Sequence, residues 1–257
     1  NYNKTFNTDH NFTALLGYTM QDQVTTFSNL TGSGYPNDLV HTINASTTQT
    51  GTTLKSEWAL MSYLARATYA YKGKYLATAS FRADGCSRFG ANNRWGYFPS
   101  VSAAWRISEE KFMESTRSWL DNLKIRTSYG VTGNNQIDDY AAIGLLKNSQ
   151  YAVDGKLTSG LYTGTMPSKD LKWEKTGQYD IGFDANLFGS RLNIGFDYYY
   201  SKTTDMLLEV PVPVITGFTE SQMNIGSVRN LGFELNISTV NIRTKDFMWT
   251  TDLNISA

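Results

Sequence analysis

The chain is poor in the residues that carry most enzyme and metal chemistry. It holds one cysteine and two histidines in 257 residues. Cys86 alone forms no internal disulfide, and no CxxC partner or spaced histidine accompanies it to build a zinc site. His10 sits in an alternating run beside Asp9, where an interface role is expected rather than that of a base, and adjacency in sequence makes no dyad. Positive and negative side chains number 23 each, so the electrostatic footprint of a nucleic-acid binder is missing. No apolar run approaches the roughly 18 residues of a membrane helix. The segment GSGYPN (32–37) lacks the strand, lysine and helix of a phosphate loop. The first residues, NYNKTFNTDH, lack the charged and apolar regions of a signal peptide. These absences lead us to expect no catalytic residue, no metal site, no cofactor and no enzyme activity.

What the chain does have is strict alternation. In WEKTGQYDIGFDANLFGSRLNIGFDYYYS (173–201), Trp173, Tyr179, Ile181, Phe183, Ala185 and Leu187 share one parity. Glu174, Thr176, Gln178, Asp180, Asp184 and Asn186 share the other. Successive side chains of a strand point to opposite faces, so one face is oily and the other polar. After the turn at 188–191, Leu192, Ile194, Phe196, Tyr198 and Tyr200 repeat the pattern against Asn193, Asp197 and Ser201. The same alternation marks 10–20, 63–71, 75–82, 97–107, 123–131, 230–237 and 247–255. This predicts about ten strands, mostly about 9–12 residues long, which is the membrane-spanning length and exceeds the soluble mean of about 5–6. Two environments fit such strands: a sheet on a soluble core, or a barrel between lipid and water.

The connections alternate between short and long. Lys72–Lys74 and 188–191 are tight, whereas roughly 21–60, 84–94, 132–170 and 203–227 are long and rich in Gly, Asn, Ser and Thr. Barrels of bacterial outer membranes have short periplasmic turns and long extracellular loops. SEEKFMESTRSW (108–119) is periplasmic by this parity yet longer, and Ser108 is placed to cap a short helix in it. Glu109 and Glu110 are read there as solvated or capping charges. A further hairpin is expected within 132–170, around YAAIGLL (140–146).

Four stretches resemble signatures of the SusC/RagA group of TonB-dependent outer-membrane transporters. They are DGCSRFGANNRWGYFPSVSAAWRISEEKFM (84–113), LKIRTSYGVTGNNQI (123–137), LKWEKTGQYDIGFDANLFGSRLNIGFDYYYSKTTDML (171–207) and NIGSVRNLGFELNI (224–237). The resemblance implies an all-β fold: an antiparallel transmembrane segment of about ten to twelve strands from a larger, roughly 22-stranded barrel. It implies a bacterial outer-membrane location, import of glycans or peptides, a SusD-like lipoprotein lid, and coupling to TonB through a plug region. No plug, TonB box or signal sequence is legible in 1–257, and the final LNISA reads as an interrupted strand. The whole chain is therefore expected to be a partial barrel domain lacking its final strands. The other reading kept open is a soluble or surface β-sheet protein that binds carbohydrate or adheres.

Six residues are candidates for substrate contact. Tyr35, Tyr140, Tyr151 and Tyr162 lie on the long connections, where aromatic faces can stack on sugar rings. Arg82 and Arg126 lie on the polar strand parity, which would line the lumen with Arg66, Arg106, Lys124, Glu174, Asp180, Asp184, Asp197 and Glu234. The motifs RFG (88–90) and GNN (133–135) point to structure more than to binding.

Overall fold

The computed structural model describes residues 1–257. Its strands are β1 (Tyr2–Phe6), β2 (His10–Ser33), β3 (Thr48–Tyr71), β4 (Tyr75–Cys86), β5 (Trp95–Arg106), β6 (Leu120–Asn134), β7 (Leu146–Val153), β8 (Lys156–Thr163), β9 (Glu174–Leu187), β10 (Leu192–Thr204), β11 (Leu207–Pro211), β12 (Glu220–Asn224), β13 (Ser227–Arg243) and β14 (Met248–Ser256). Ten of them form one antiparallel sheet in the order β1-β2-β3-β4-β5-β6-β9-β10-β13-β14. β7–β8 and β11–β12 are separate hairpins within the long loops. β1 and β14 each have one neighbour, so the sheet is an open stretch of barrel wall rather than a closed ring.

The register turns the sequence alternation into continuous bands. Along one line of the register, cross-strand partners run Ala14, Ala67, Ala79, Val101, Tyr129, Tyr179, Tyr200 and Leu231. Nearer the short turns they run His10, Tyr71, Tyr75, Trp105, Ile125, Phe183, Phe196, Leu235 and Ile255. Many of these side chains are exposed, including Tyr75, Val101, Ile125, Tyr179 and Leu231. A whole sheet face that is apolar and exposed has hydrocarbon as its natural solvent. Aromatics border it on both sides. His10, Tyr71, Tyr75 and Trp105 meet ring to ring in sequence near the short turns, with centroids 4.7 to 6.2 Å apart. Tyr18, Tyr63 and Trp95 do so towards the long loops, at 5.2 and 5.9 Å. From Tyr63 to Tyr71 the strand rises roughly 26 Å at about 3.3 Å per residue, the order of a lipid-facing band once tilt is allowed for. No helix of the fold is long and apolar enough to cross a membrane.

The opposite face carries charge. Arg126 on β6 reaches across β9 to Asp197 on β10, donating from Nη2 to Oδ2 at 2.7 Å, and also donates to Asp184 at 3.3 Å. Lys124 completes the group at 2.8 Å from Asp184. Gly182 is what lets the arginine pass, since it lies between Arg126 and Asp197 in the register. A β-carbon there would press on the Asp197 carboxylate and sit 2.5 Å from the Phe196 carbonyl oxygen. Gly182→Ala is therefore expected to destabilise the barrel by about 1–3 kcal/mol through overpacking and the displaced ion pair. Gly195→Ala is the control, since its nearest neighbour would be a comfortable 3.8 Å away. Urea titrations of both variants in lipid vesicles check this; equal midpoints would remove the proposed role of Gly182.

Several expectations need correction. Residues 21–60 are mostly strand, because β2 and β3 each run for 24 residues and only 34–47 form a loop. QDQVTTFSN shows no alternation because both of its faces meet water, yet its β-branched residues favour the extended chain. The hairpin in 132–170 lies at β7–β8 rather than 140–146, turning at Asp154-Gly155 with φ of 50° and 74°. Both values suit the Asp-Gly signal of a tight hairpin turn. Trp173 is not on the lipid face: it precedes β9 and is buried, so strand parity does not govern it. Val131 also packs inward, against the same cluster as Trp173.

The connection at 107–119 contains two 3₁₀ turns, Ile107–Glu109 and Lys111–Thr116, rather than one capped helix. Ser108 lies buried inside the first and makes no cap. Glu110 is not a free surface charge. It accepts hydrogen bonds from the Tyr75 hydroxyl at 2.7 Å and the Trp105 indole at 3.2 Å, and Lys74 lies 3.5 Å away. The Tyr75 and Trp105 hydrogen bonds, against a smaller opposing effect of burial and with help from Lys74, hold its carboxyl below the usual carboxylate range. A depressed carboxylate stabilises above its unfolded value of about 4.3 and loses that contribution as pH falls through the lower folded value. Amide protection in 107–119, taken relative to the intrinsic exchange rate at each pH, is therefore expected to fall on acidification below about pH 4. Glu110→Gln should lower that protection at neutral pH and flatten its pH dependence.

Candidate substrate cleft between the outer loops

The segments after β4 and β6 fold back over the polar face and build the one substantial apolar cluster. It comprises Cys86, Phe89, Phe98, Ile137, Leu171 and Trp173. Phe89 and Cys86 are 1% exposed. Trp173 packs against Phe89 at 5.2 Å and edge-on to Phe98 at 5.3 Å, and its indole donates to the Arg94 carbonyl at 2.9 Å. Polar contacts tie the same loops together. Arg88 donates to Asp139 at 2.8 Å and to the Asn135 carbonyl at 3.3 Å, while its guanidinium lies 4.7 Å from the Trp58 ring centre. The Asn135 amide donates to the Cys86 sulfur at 3.3 Å. RFG and GNN thus build the scaffold: Phe89 is its most buried large side chain and Asn135 binds its cysteine.

Above this cluster lies a cleft of ≈ 710 Å³. Ala141 belongs to both, packing on the cluster and lining the cleft. One wall is the outer reach of β3, at Lys55 and Ser56. A second is the loop Asp138–Ala141, and a third is β7–β8 with its exit, including Lys147 and Tyr162. The β11–β12 hairpin closes the side with Glu209, Phe218 and Glu220. The Glu57 backbone N–H donates to the Tyr140 hydroxyl at 3.0 Å, which fixes the second wall to the first. Lys55 pairs with Glu57 at 2.5 Å, and the hydrogen bond and charge of Glu57 raise its ammonium above the ordinary lysine value. The volume suits an oligomeric ligand of modest size, with aromatic faces and charges both available.

A family model described as TonB dependent receptor-like, beta-barrel matches residues 1–257. The chain belongs to this TonB-dependent receptor β-barrel family. TonB-dependent receptor P39 of Formosa agariphila is 43% identical over 262 residues, covering 100% of this chain and 25% of that protein. TonB-dependent receptor SusC of Bacteroides thetaiotaomicron is 39% identical over 203 residues, covering 77% of this chain and 20% of SusC. A solved structure of the RagAB peptide transporter superposes with a TM-score of 0.88 at 31% identity, covering 99% of this chain and 28% of that one. The chain therefore spans about a quarter of the length of the relatives it matches. In a TonB-dependent receptor barrel the apolar face meets outer-membrane lipid, the charged face meets the lumen, and the long loops are extracellular.

In this receptor wall the candidate residues separate. Tyr140 and Tyr162 both line the cleft. Tyr35 sits in the loop after β2, exposed and outside it, and Tyr151 near the β7–β8 tip covers Gly160. Arg82 pairs with Asp84 at 2.7 Å and reaches Ser62 at 3.1 Å on the inner wall. Arg126 is held between Asp184 and Asp197, and neither arginine lines the cleft. Lys55, Asp138, Lys147, Glu209, Phe218 and Glu220 were not candidates. They come from four separate segments, and no local pattern in any of them signals a shared site.

Proposed function

We propose that the chain forms part of the wall and mouth of a TonB-dependent importer that carries glycans or peptides across the outer membrane. The observation that supports this most is the pairing of a lipid-facing barrel wall with a cleft built from the outer reach of β3 and the long loops beside it. In this reading the loops help capture substrate, a SusD-like lipoprotein covers the mouth, and TonB acts through a plug region of the longer parent protein. The names of SusC and of the RagAB peptide transporter support the class without choosing between glycan and peptide. The reading as a soluble carbohydrate-binding or adhesive sheet is disfavoured by the continuous exposed apolar bands.

Uptake of labelled glycan and peptide pools is the test, in cells with the parent intact, with the parent absent, or with loop 203–227 deleted. Uptake is expected to vanish without the parent and to fall sharply without the loop, which carries Glu209, Phe218 and Glu220 of the cleft. Wild-type uptake in the parent's absence would overturn the transport reading. Unchanged uptake after deletion, with the barrel assembled, would remove that loop from capture.

A further inference from the structure

The β3 wall of the cleft is a strand edge that nothing in the fold pairs. β4 pairs with β3 only from Leu60 to Tyr71, whereas β2 pairs with it along its whole length. On the β4 side, the next outward-pointing residue, Ala59, is still satisfied by Ser87: its N–H donates to the Ser87 hydroxyl at 2.8 Å and its carbonyl accepts the Ser87 N–H at 3.0 Å. Glu57, two residues further, donates to Tyr140. In an antiparallel ladder the residues pointing to one neighbour recur every second position. Lys55 and Thr53 therefore direct their N–H and C=O groups away from β2, towards the same side as Glu57 and Ala59. Lys55 lies in the cleft wall.

We propose that this edge receives an extended basic peptide as an added strand, which makes peptide the substrate class of the cleft. The inference rests on the import reading above. A peptide offers alternating N–H and C=O groups at the spacing the edge requires, and a glycan offers no such ladder. The charges favour a basic sequence. Asp139 is taken by Arg88 and Lys55 by Glu57, which leaves Asp138, Glu209 and Glu220 without an ion-pair partner against Lys147. Tyr140 and Tyr162 supply apolar surface for side chains on one face of the added strand.

The test is calorimetric titration of the full-length parent in detergent. The probes are a hexapeptide of alternating lysine and threonine, the same peptide N-methylated at alternate amides, and a neutral linear glucan hexamer. The unmethylated peptide is expected to bind, the methylated form about tenfold more weakly or worse, and the glucan not at all. Lys55→Pro removes the outward N–H and the ammonium together, whereas Lys55→Gln removes the ammonium alone. Proline is tolerated on an edge strand whose N–H faces outward. Lys55→Pro should lower peptide affinity about tenfold relative to Lys55→Gln, with heat-modified gel migration of the barrel unchanged in both. Glucan binding without peptide binding, no binding of the peptide, or equal affinity in the two variants would each overturn the edge-pairing proposal. Cellular uptake separates the two readings. Peptide import that persists undiminished in Lys55→Pro leaves transport standing and removes the edge; peptide binding at the edge without any import leaves the site and removes transport.

Discussion

Replacing Phe196 with arginine is expected to cost the folded barrel about 2–4 kcal/mol. Phe196 sits on β10 between Phe183 and Phe233, its ring 5.9 and 6.4 Å from theirs, and lies inside the lipid-facing band, past the start of the strand at Leu192. A guanidinium there must either enter hydrocarbon or bend away from it, and the penalty peaks at the bilayer midplane. The change also removes two aromatic contacts. Gln178→Arg is the matched control. Gln178 lies on the polar face, is exposed and already donates to Asp180 at 2.9 Å, so an arginine keeps a partner in water. Refolding titrations of the parent into vesicles compare the two. A harmless Phe196→Arg beside a damaging Gln178→Arg would reverse the assignment of the faces. Asp184 makes a poor control, because its removal strands both Lys124 and Arg126 on the inner wall.

Truncating Phe89 to alanine is expected to destabilise the outer loops by about 3–5 kcal/mol, the range for emptying a well-packed aromatic site. Phe89 is 1% exposed and packs on Trp173 in a cluster that joins the segments after β4, after β6 and before β9. These segments have little else apolar to hold them, so the cavity is not readily refilled. The expected pattern is selective. Hydrogen exchange and proteolysis should rise in 87–94 and 134–145, while the transmembrane ladder of β9, β10 and β13 stays protected. The cleft should lose ligand with them, because Ala141 joins the cluster to its wall. Protection lost evenly along the whole chain would show that the cluster supports the barrel rather than the mouth.

The sequence by itself determined the wall. Lipid and water make opposite demands on the two faces of one strand, so every crossing residue must declare its side, and Phe183 against Asp184 is legible without coordinates. The short turns at Lys72–Lys74 and 188–191 followed from where that alternation breaks. Outside the membrane both faces meet water and the signal ends, so β2 and β3 ran on for about a dozen residues that read as loop. Trp173 and Val131 kept the oily parity but turned inward, because the loops bring their own apolar cluster. Only the tertiary structure decided the cleft. Lys55, Tyr140, Tyr162 and Glu209 are far apart in the chain, and each is an ordinary polar or aromatic loop residue where it stands. Their meeting depends on how far β3 outruns β4 and on where the cluster anchors the loop at 138–141. Both are set by register and long-range packing, which residue alternation does not encode.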